Sequence, residues 1–238
     1  MQPEQEQEIA KLRALKVAPK QIARKLGLRP AEVSAILQKL SQQTPNSDTD
    51  ELPPVKECWV NSAAAEHFFG EGNHIEDQTS EDEAFQEGAA SSGLAIVVVA
   101  REVRFGTFVV CSYLVDYWCL GIKNTLGPKT VNATKYTRFL QHIYEPFEAK
   151  PQQISLEQAQ AIALGAVDYA QTLGFKPHRD FDQTRKYLGT WDGSLRIEFG
   201  KNGKPFYFCG PHDNSRQIME TLRQTVGDGN FDFVTTPF

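Results

Sequence analysis

Apolar residues recur at helical spacing through the first 40 residues of the chain. Ile9, Leu12 and Leu15 fall on one side of a helix predicted over residues 4–16. A second helix begins at Pro19, where the missing N–H of proline is harmless. The apolar stripe that follows predicts a third helix over residues 30–40. Three short helices in so few residues predict a small all-α, tri-helical domain over residues 1–42.

The pattern changes completely after this segment. Residues 43–57 are polar, contain prolines and show no periodicity, which is typical of a linker. We therefore expect a second domain over residues 58–238. Near its start, residues 66–90 form an acidic stretch, with eight Asp or Glu and no Lys or Arg between Glu66 and Glu87. This composition predicts a surface loop.

The first clear strand signals of the second domain are two apolar runs of strand length. Residues 94–100 and 107–115 are rich in β-branched and aromatic residues, and a glycine-bearing turn between them predicts a hairpin. Helices are predicted over residues 130–147, 156–173 and 215–226, with Ser155 capping the second. A turn at residues 200–204 predicts a second hairpin between residues 195–199 and 205–209. This order predicts an α+β domain with an antiparallel sheet.

Composition excludes several classes of protein. The chain has 238 residues, of which 40% are hydrophobic, so it can bury a sizeable core. No apolar run is long enough for a membrane span and the first residues lack the core of a signal peptide, so we expect no membrane partner and a cytoplasmic location. The four cysteines are scattered without a C-x-x-C pair. They predict reduced, buried thiols, and no metal or cofactor is expected.

Positive charge is concentrated in the first 42 residues of the chain. The formal net charge is -5, yet residues 1–42 contain eight Lys or Arg against four Glu. Lys16 to Arg29 holds five basic residues and no acidic one. Such a local field is expected of a surface that meets phosphates.

Residues 7–40 resemble the helix-turn-helix domains of bacterial repressors and of resolvase or transposase arms. Seven positions agree with the pattern of that family: Ile22, Ala23, Leu26, Gly27, Leu28, Val33 and Ile36. Ala23 falls where the second helix crosses closest, and Gly27 falls where the chain leaves the first helix with a positive φ. The resemblance implies a nucleic-acid partner, above all duplex DNA.

In that family the second helix of the motif lies in the major groove. The resemblance therefore implies phosphate contacts by Lys20, Gln21, Arg24 and Lys25, and base contacts by Arg29, Glu32, Ser34 and Ala35, with Gln38 further along the helix. Only Arg29 and Gln38 suit bidentate contacts with bases. The alternatives, RNA or protein as the partner of a tri-helical module, stay open.

Three polar clusters in the second domain are candidates for chemistry. His178, Asp180 and Asp182 combine an imidazole and two carboxylates within five residues, as an acid–base pair or a divalent metal would need. Cys209 and His212 suit a nucleophile and its base. Asp116 and Lys123 follow the strongest predicted strand. The alternative for each is structural: a capped loop, a buried thiol and core packing.

The second domain gives little further guidance on function. The segments around Gly93, Tyr113, Cys119, Tyr169 and Gly210 are similar to segments of uncharacterised bacterial proteins, which implies one domain and no activity. We expect a transcription regulator whose second domain binds an effector or oligomerises, as a homodimer or with a protein partner. The alternatives are a hydrolase or nuclease with its site at His178, Asp180 and His212, and a non-catalytic adaptor.

Overall fold

The computed structural model describes residues 19–29, 32–33, 52–70, 93–146 and 150–234. The chain divides into two units, Met1–Glu51 and Leu52–Phe238. In the first unit, helix α1 spans Pro19–Leu26. The helix predicted over residues 4–16 lies outside the described residues, as do Ser34 and Gln38. The tri-helical arrangement therefore stays a prediction.

The second unit is built around a five-stranded antiparallel sheet of order β4-β3-β2-β1-β5. Its strands are β1 (Val55–Asn61), β2 (Leu94–Arg104), β3 (Thr107–Asp116), β4 (Gly121–Asn132) and β5 (Pro151–Ile154). The predicted α+β class and the β2–β3 hairpin are confirmed. β1 starts inside the segment assigned to the linker, and β4 extends through Asn132, so the helix predicted from residue 130 starts later.

Helices cover both faces of this sheet. They are α2 (Ser62–Phe69), α3 (Ala133–Tyr144), α4 (Leu156–Thr172), α5 (Phe181–Thr184) and α6 (Ser215–Thr225), with a 3₁₀ turn over Arg185–Leu188. Ser155 begins α4 with a complete capping box, in which Gln158 reaches back to the Ser155 N–H. No helix of the described ranges is long and apolar enough to cross a membrane.

The central strands bury alternate side chains on opposite faces. Val97, Val99 and Tyr113 belong to a core that includes Ala163 and Ala166 of α4. On the other face, Val98 and Val110 pack with residues of α3 in a second core. The approach to α4 is close at Gly121, where an added Cβ would lie 2.7 Å from that of Ala170 and the backbone has a φ of +69°.

The hairpin predicted around residues 200–204 is wrong, although the tight turn itself forms between Lys201 and Lys204. Residues 195–199 form no strand, and β6 (Phe206–Phe208) pairs in parallel with β7 (Asp232–Val234). The backbone explains the difference: Gly200 N–H donates to the Tyr117 carbonyl, and Phe206 N–H donates to that of Trp118. The segment is thus bound to the turn after β3, and its strand partner comes from the end of the chain.

Buried polar side chains fasten α5 and the following 3₁₀ turn to the sheet. Arg101 of β2, 5% exposed, donates from Nε to the Tyr187 carbonyl and from Nη1 to the Pro53 carbonyl, both at 2.8 Å. The Tyr113 hydroxyl donates to the Thr184 carbonyl at 2.8 Å. Gln160 Nε2 donates to the carbonyls of Leu188 and Thr190. Strands and helix α4 therefore hold this segment through its backbone.

Arg101→Ala is expected to lower the free energy of unfolding by about 2–4 kcal/mol, because two charge-assisted hydrogen bonds are lost and two carbonyls lose their donor. Urea denaturation measures this change. Arg104→Ala, an exposed substitution on the same strand, is the control and should stay within about 0.5 kcal/mol of the parent. Equal effects of the two substitutions would contradict the role of Arg101.

Candidate functional site

Helix α1 separates apolar and basic side chains onto different sides. Ile22 and Ala23 are buried, with exposures of 0% and 2%, while Gln21, Arg24 and Lys25 are exposed. The side chain of Lys20 lies outside the described residues. The exposed Arg24 and Lys25 carry positive charge, which suits an anionic partner, and the Gln21 amide can form hydrogen bonds with it.

The chain leaves α1 through a tight turn. Gly27 has a φ of +65°, a conformation that glycine adopts at little cost, and the Leu28 N–H donates to the Ala23 carbonyl. Arg29 is exposed, and Val33, four residues later, is fully buried and donates its N–H to the Arg29 carbonyl. Positions 32 and 33 are helical, and the bond from the Val33 N–H to the Arg29 carbonyl has the four-residue spacing of an α-helix.

The Glu32 carboxylate makes a local hydrogen bond to the backbone. Its Oε2 accepts the Arg29 backbone N–H at 2.9 Å, which is the reach-back bond of a capping box. The carboxylate thus satisfies an N–H at the start of the helix while the residue stays exposed. A negative charge at this end also complements the helix dipole.

In the second unit, Asp116 is buried beneath the turn that follows β3. Its Oδ1 accepts the backbone N–H groups of Trp118 at 3.1 Å and Cys119 at 2.9 Å. Burial raises the pKa of Asp116 to about 6, while Lys123 and these N–H groups act in the opposite direction. Asp116 is 4% exposed, and its carboxylate organises this turn.

Two of the clusters identified in the sequence meet through one ion pair. Lys123 Nζ lies 2.8 Å from Asp213 Oδ2, and both side chains are largely buried. The same carboxylate oxygen accepts the Gly210 N–H at 2.9 Å. The pair therefore connects the start of β4 with the loop between β6 and α6.

Cys209 lies at the edge of a small apolar core formed with α6. Its Sγ contacts Ser215 Oγ at 2.9 Å, and the Tyr207 hydroxyl donates to the same oxygen at 3.1 Å. His212, the proposed base, is exposed on the surface. No described hydrogen bond or ion pair links it to Cys209 or to His178.

His178 and Asp180 do lie together, at the start of α5. His178 Nδ1 is 3.8 Å from Asp180 Oδ2 and accepts the Asp180 N–H at 3.3 Å. The His178 N–H donates to the Ile122 carbonyl at 2.9 Å, which ties this loop to β4. Within the described ranges, no group of three His, Cys, Asp or Glu side chains could hold a metal ion.

A cavity between α3 and the β1–β5 side of the sheet was not expected from the sequence. It has a volume of about 510 Å³ and is lined by Glu57, Phe108, Tyr136, Leu140 and Tyr144, among others. Tyr136, Leu140 and Tyr144 recur every four residues along α3. That spacing was visible in the sequence, but Glu57 was assigned to the linker and its strand was not predicted.

We expect Asp116 to contribute to the free energy of unfolding of the parent protein, and this contribution should fall by about 1–3 kcal/mol between pH 4 and pH 6. The folded state has the raised pKa and so binds the proton more tightly than the unfolded state, and this advantage is lost as pH rises through about 6. Asp116→Asn, which keeps the acceptor oxygen, should remove this part of the slope. Urea denaturation from pH 3.5 to 7.5 measures it.

Asp116→Ala is the matched comparison, because it removes the acceptor and leaves two N–H groups of the turn without their partner. It should be less stable than Asp116→Asn by about 1–3 kcal/mol at every pH. An unchanged slope in Asp116→Asn would show that the carboxyl group is not the source of the pH dependence.

The chain was compared with known protein families, with curated proteins and with solved structures, and none of them matches. Its function is therefore inferred from its own side chains, charges and contacts, above all those of the exposed basic side of α1 and the turn after it.

Proposed function

We propose that this chain is a DNA-binding protein of the helix-turn-helix type, acting as a transcription regulator, with a second unit that binds an effector or forms oligomers. One observation carries the proposal: Arg24, Lys25 and Arg29 are exposed around a positive-φ turn while Ile22 and Val33 are buried. Apolar positions thus face inward and cations outward, as docking on a phosphate backbone requires.

The charge of this segment supports a polyanionic partner. Cations on both sides of the Gly27 turn, Arg24 and Lys25 before it and Arg29 after it, are exposed. The Glu32 carboxylate, which accepts the Arg29 backbone N–H, places one negative charge beside these three cations, so the local charge stays positive. Phosphate oxygens would accept from these side chains, and binding would release counterions from the DNA.

Fewer side chains of this segment suit contacts with bases than suit contacts with phosphates. Among the candidate base contacts, Arg29 suits a bidentate contact with guanine and Gln38 suits one with adenine. We therefore propose that backbone contacts provide most of the affinity and that pairing of two copies on DNA adds specificity.

Fluorescence anisotropy with a labelled duplex of mixed sequence, titrated with the full chain at several salt concentrations, tests the proposal. Affinity should fall steeply with salt, and replacing Arg24, Lys25 and Arg29 together by alanine should weaken binding at least about tenfold. The slope of log affinity against log salt should decrease by about 2–3, because each phosphate contact contributes about one.

The control replaces three exposed basic residues of the second unit, Arg196, Lys204 and Arg216, by alanine. It changes the net charge equally, so a general loss of positive charge would affect both variants alike. The control should bind DNA with nearly the parent affinity and salt slope. Absence of salt-sensitive binding in the parent, or equal weakening in both variants, would refute the proposal.

A further inference from the structure

Residues 195–199 pack against α4 in the manner of a strand that has no neighbour. The Phe199 ring lies so close to α4 that a Cβ added at Gly165 would be 2.9 Å from it, and it stacks on Tyr169 with the ring centroids 5.5 Å apart. Exposure alternates along the segment: Leu195, Ile197 and Phe199 are half-buried, while Arg196 and Glu198 are exposed. Such alternation is typical of a strand with one covered face.

The backbone of this segment makes no hydrogen bond within the part of the chain that the structure describes. No N–H of residues 195–199 donates to another group there, and none of their carbonyls accepts. The partner expected from the sequence, β6, pairs with β7 instead. None of the five residues is fully buried. A row of unpaired N–H and C=O groups on such a segment is a template for a further strand.

The sequence of the segment, LRIEF, is complementary to itself in the antiparallel direction. When Ile197 lies opposite Ile197 of a second copy, Arg196 of each copy lies opposite Glu198 of the other. Opposite charges across a strand pair stabilise it and like charges destabilise it. Sliding one copy by two residues would place Arg196 opposite Arg196, or Glu198 opposite Glu198. The charges therefore specify a single register.

Both charges are available for this pairing. Among the ion pairs of the described residues, none involves Arg196 or Glu198. The apolar side chains of the segment can keep their contacts with α4, because strand pairing uses the backbone edge rather than the covered face.

We propose that residues 195–199 pair with the same residues of a second copy as an antiparallel ladder, with Ile197 on the two-fold axis. Both copies use the same surface, so the assembly closes as a dimer. The paired segment is short and the interface small, so we expect a reversible dimer in the micromolar range. The inference rests on the proposed function for the role of the dimer, which is to bring two DNA-binding units together.

Charge reversal tests the pairing in the full chain without DNA. Arg196→Glu and Glu198→Arg each place two like-charged pairs across the dimer, so sedimentation equilibrium should show dimerisation at least about tenfold weaker than in the parent. An equimolar mixture of the two variants should dimerise with nearly the parent affinity, because every charge then lies opposite its counter-charge. Native mass spectrometry identifies the mixed dimer by its mass.

The controls separate repulsion across the pair from misfolding and from general charge effects. The double variant Arg196→Glu/Glu198→Arg exchanges the two charges and should dimerise like the parent. Arg138→Glu, on α3 at the other face of the sheet, makes the same change in net charge as Arg196→Glu and should leave the dimer intact. Arg196→Ala places no like charges opposite each other, so it should weaken the dimer less than about fivefold.

Three results would each overturn the proposal: a parent that is monomeric at about 100 µM, parent-like dimerisation of either single reversal variant, or a mixture that fails to restore the dimer. Replacing Arg24, Lys25 and Arg29 by alanine should leave dimerisation unchanged. Failure to bind DNA and failure to pair are therefore separate results.

Discussion

The burial of both faces of the central strands is the constraint on which the second unit depends. Val97 and Val99 of β2 face one core, and Val98 faces the other, so the sheet must be covered on both sides. Neither an isolated hairpin nor a one-sided sheet would remove this apolar surface from water. Helix α4 therefore covers one face and α3 the other, and the order of elements along the chain follows from this need.

Helices α4 and α3 differ in how closely they pack against the sheet. Helix α4 presents small residues such as Ala159, Ala163 and Ala166, which let its backbone approach the sheet closely. Helix α3 presents the rings of Tyr136 and Tyr144, and a cavity of about 510 Å³ lies beside them. Helix α4 thus packs closely on one face, while the packing of α3 on the other face leaves a cavity.

Sequence patterns predicted the helices and strands whose formation depends mainly on neighbouring residues in the chain. The β2–β3 hairpin and α4 with its Ser155 cap follow from apolar runs, a glycine turn and a capping box. Strand β1 was missed because VKECWVN carries two charges, and β4 because it contains glycine and proline.

The contact of Lys123 with Asp213 spans 90 positions, so no local pattern contains it. Asp116 looked like a catalytic candidate, but its place in the fold makes it a turn acceptor. Of the apolar positions of the motif, Ile22 and Val33 are buried and Leu26 and Leu28 are half-buried, and the helix-turn-helix itself stays a prediction.

We propose that the first unit contacts DNA and that the sheet of the second unit does not. Hydrogen–deuterium exchange of the full chain, measured with and without duplex DNA, tests this division most directly because it reports on each backbone segment. The account predicts DNA-dependent protection in residues 19–29, including the turn at Gly27, and unchanged exchange in β2 and β3. Protection confined to the sheet or to α3, with none around α1, would contradict it.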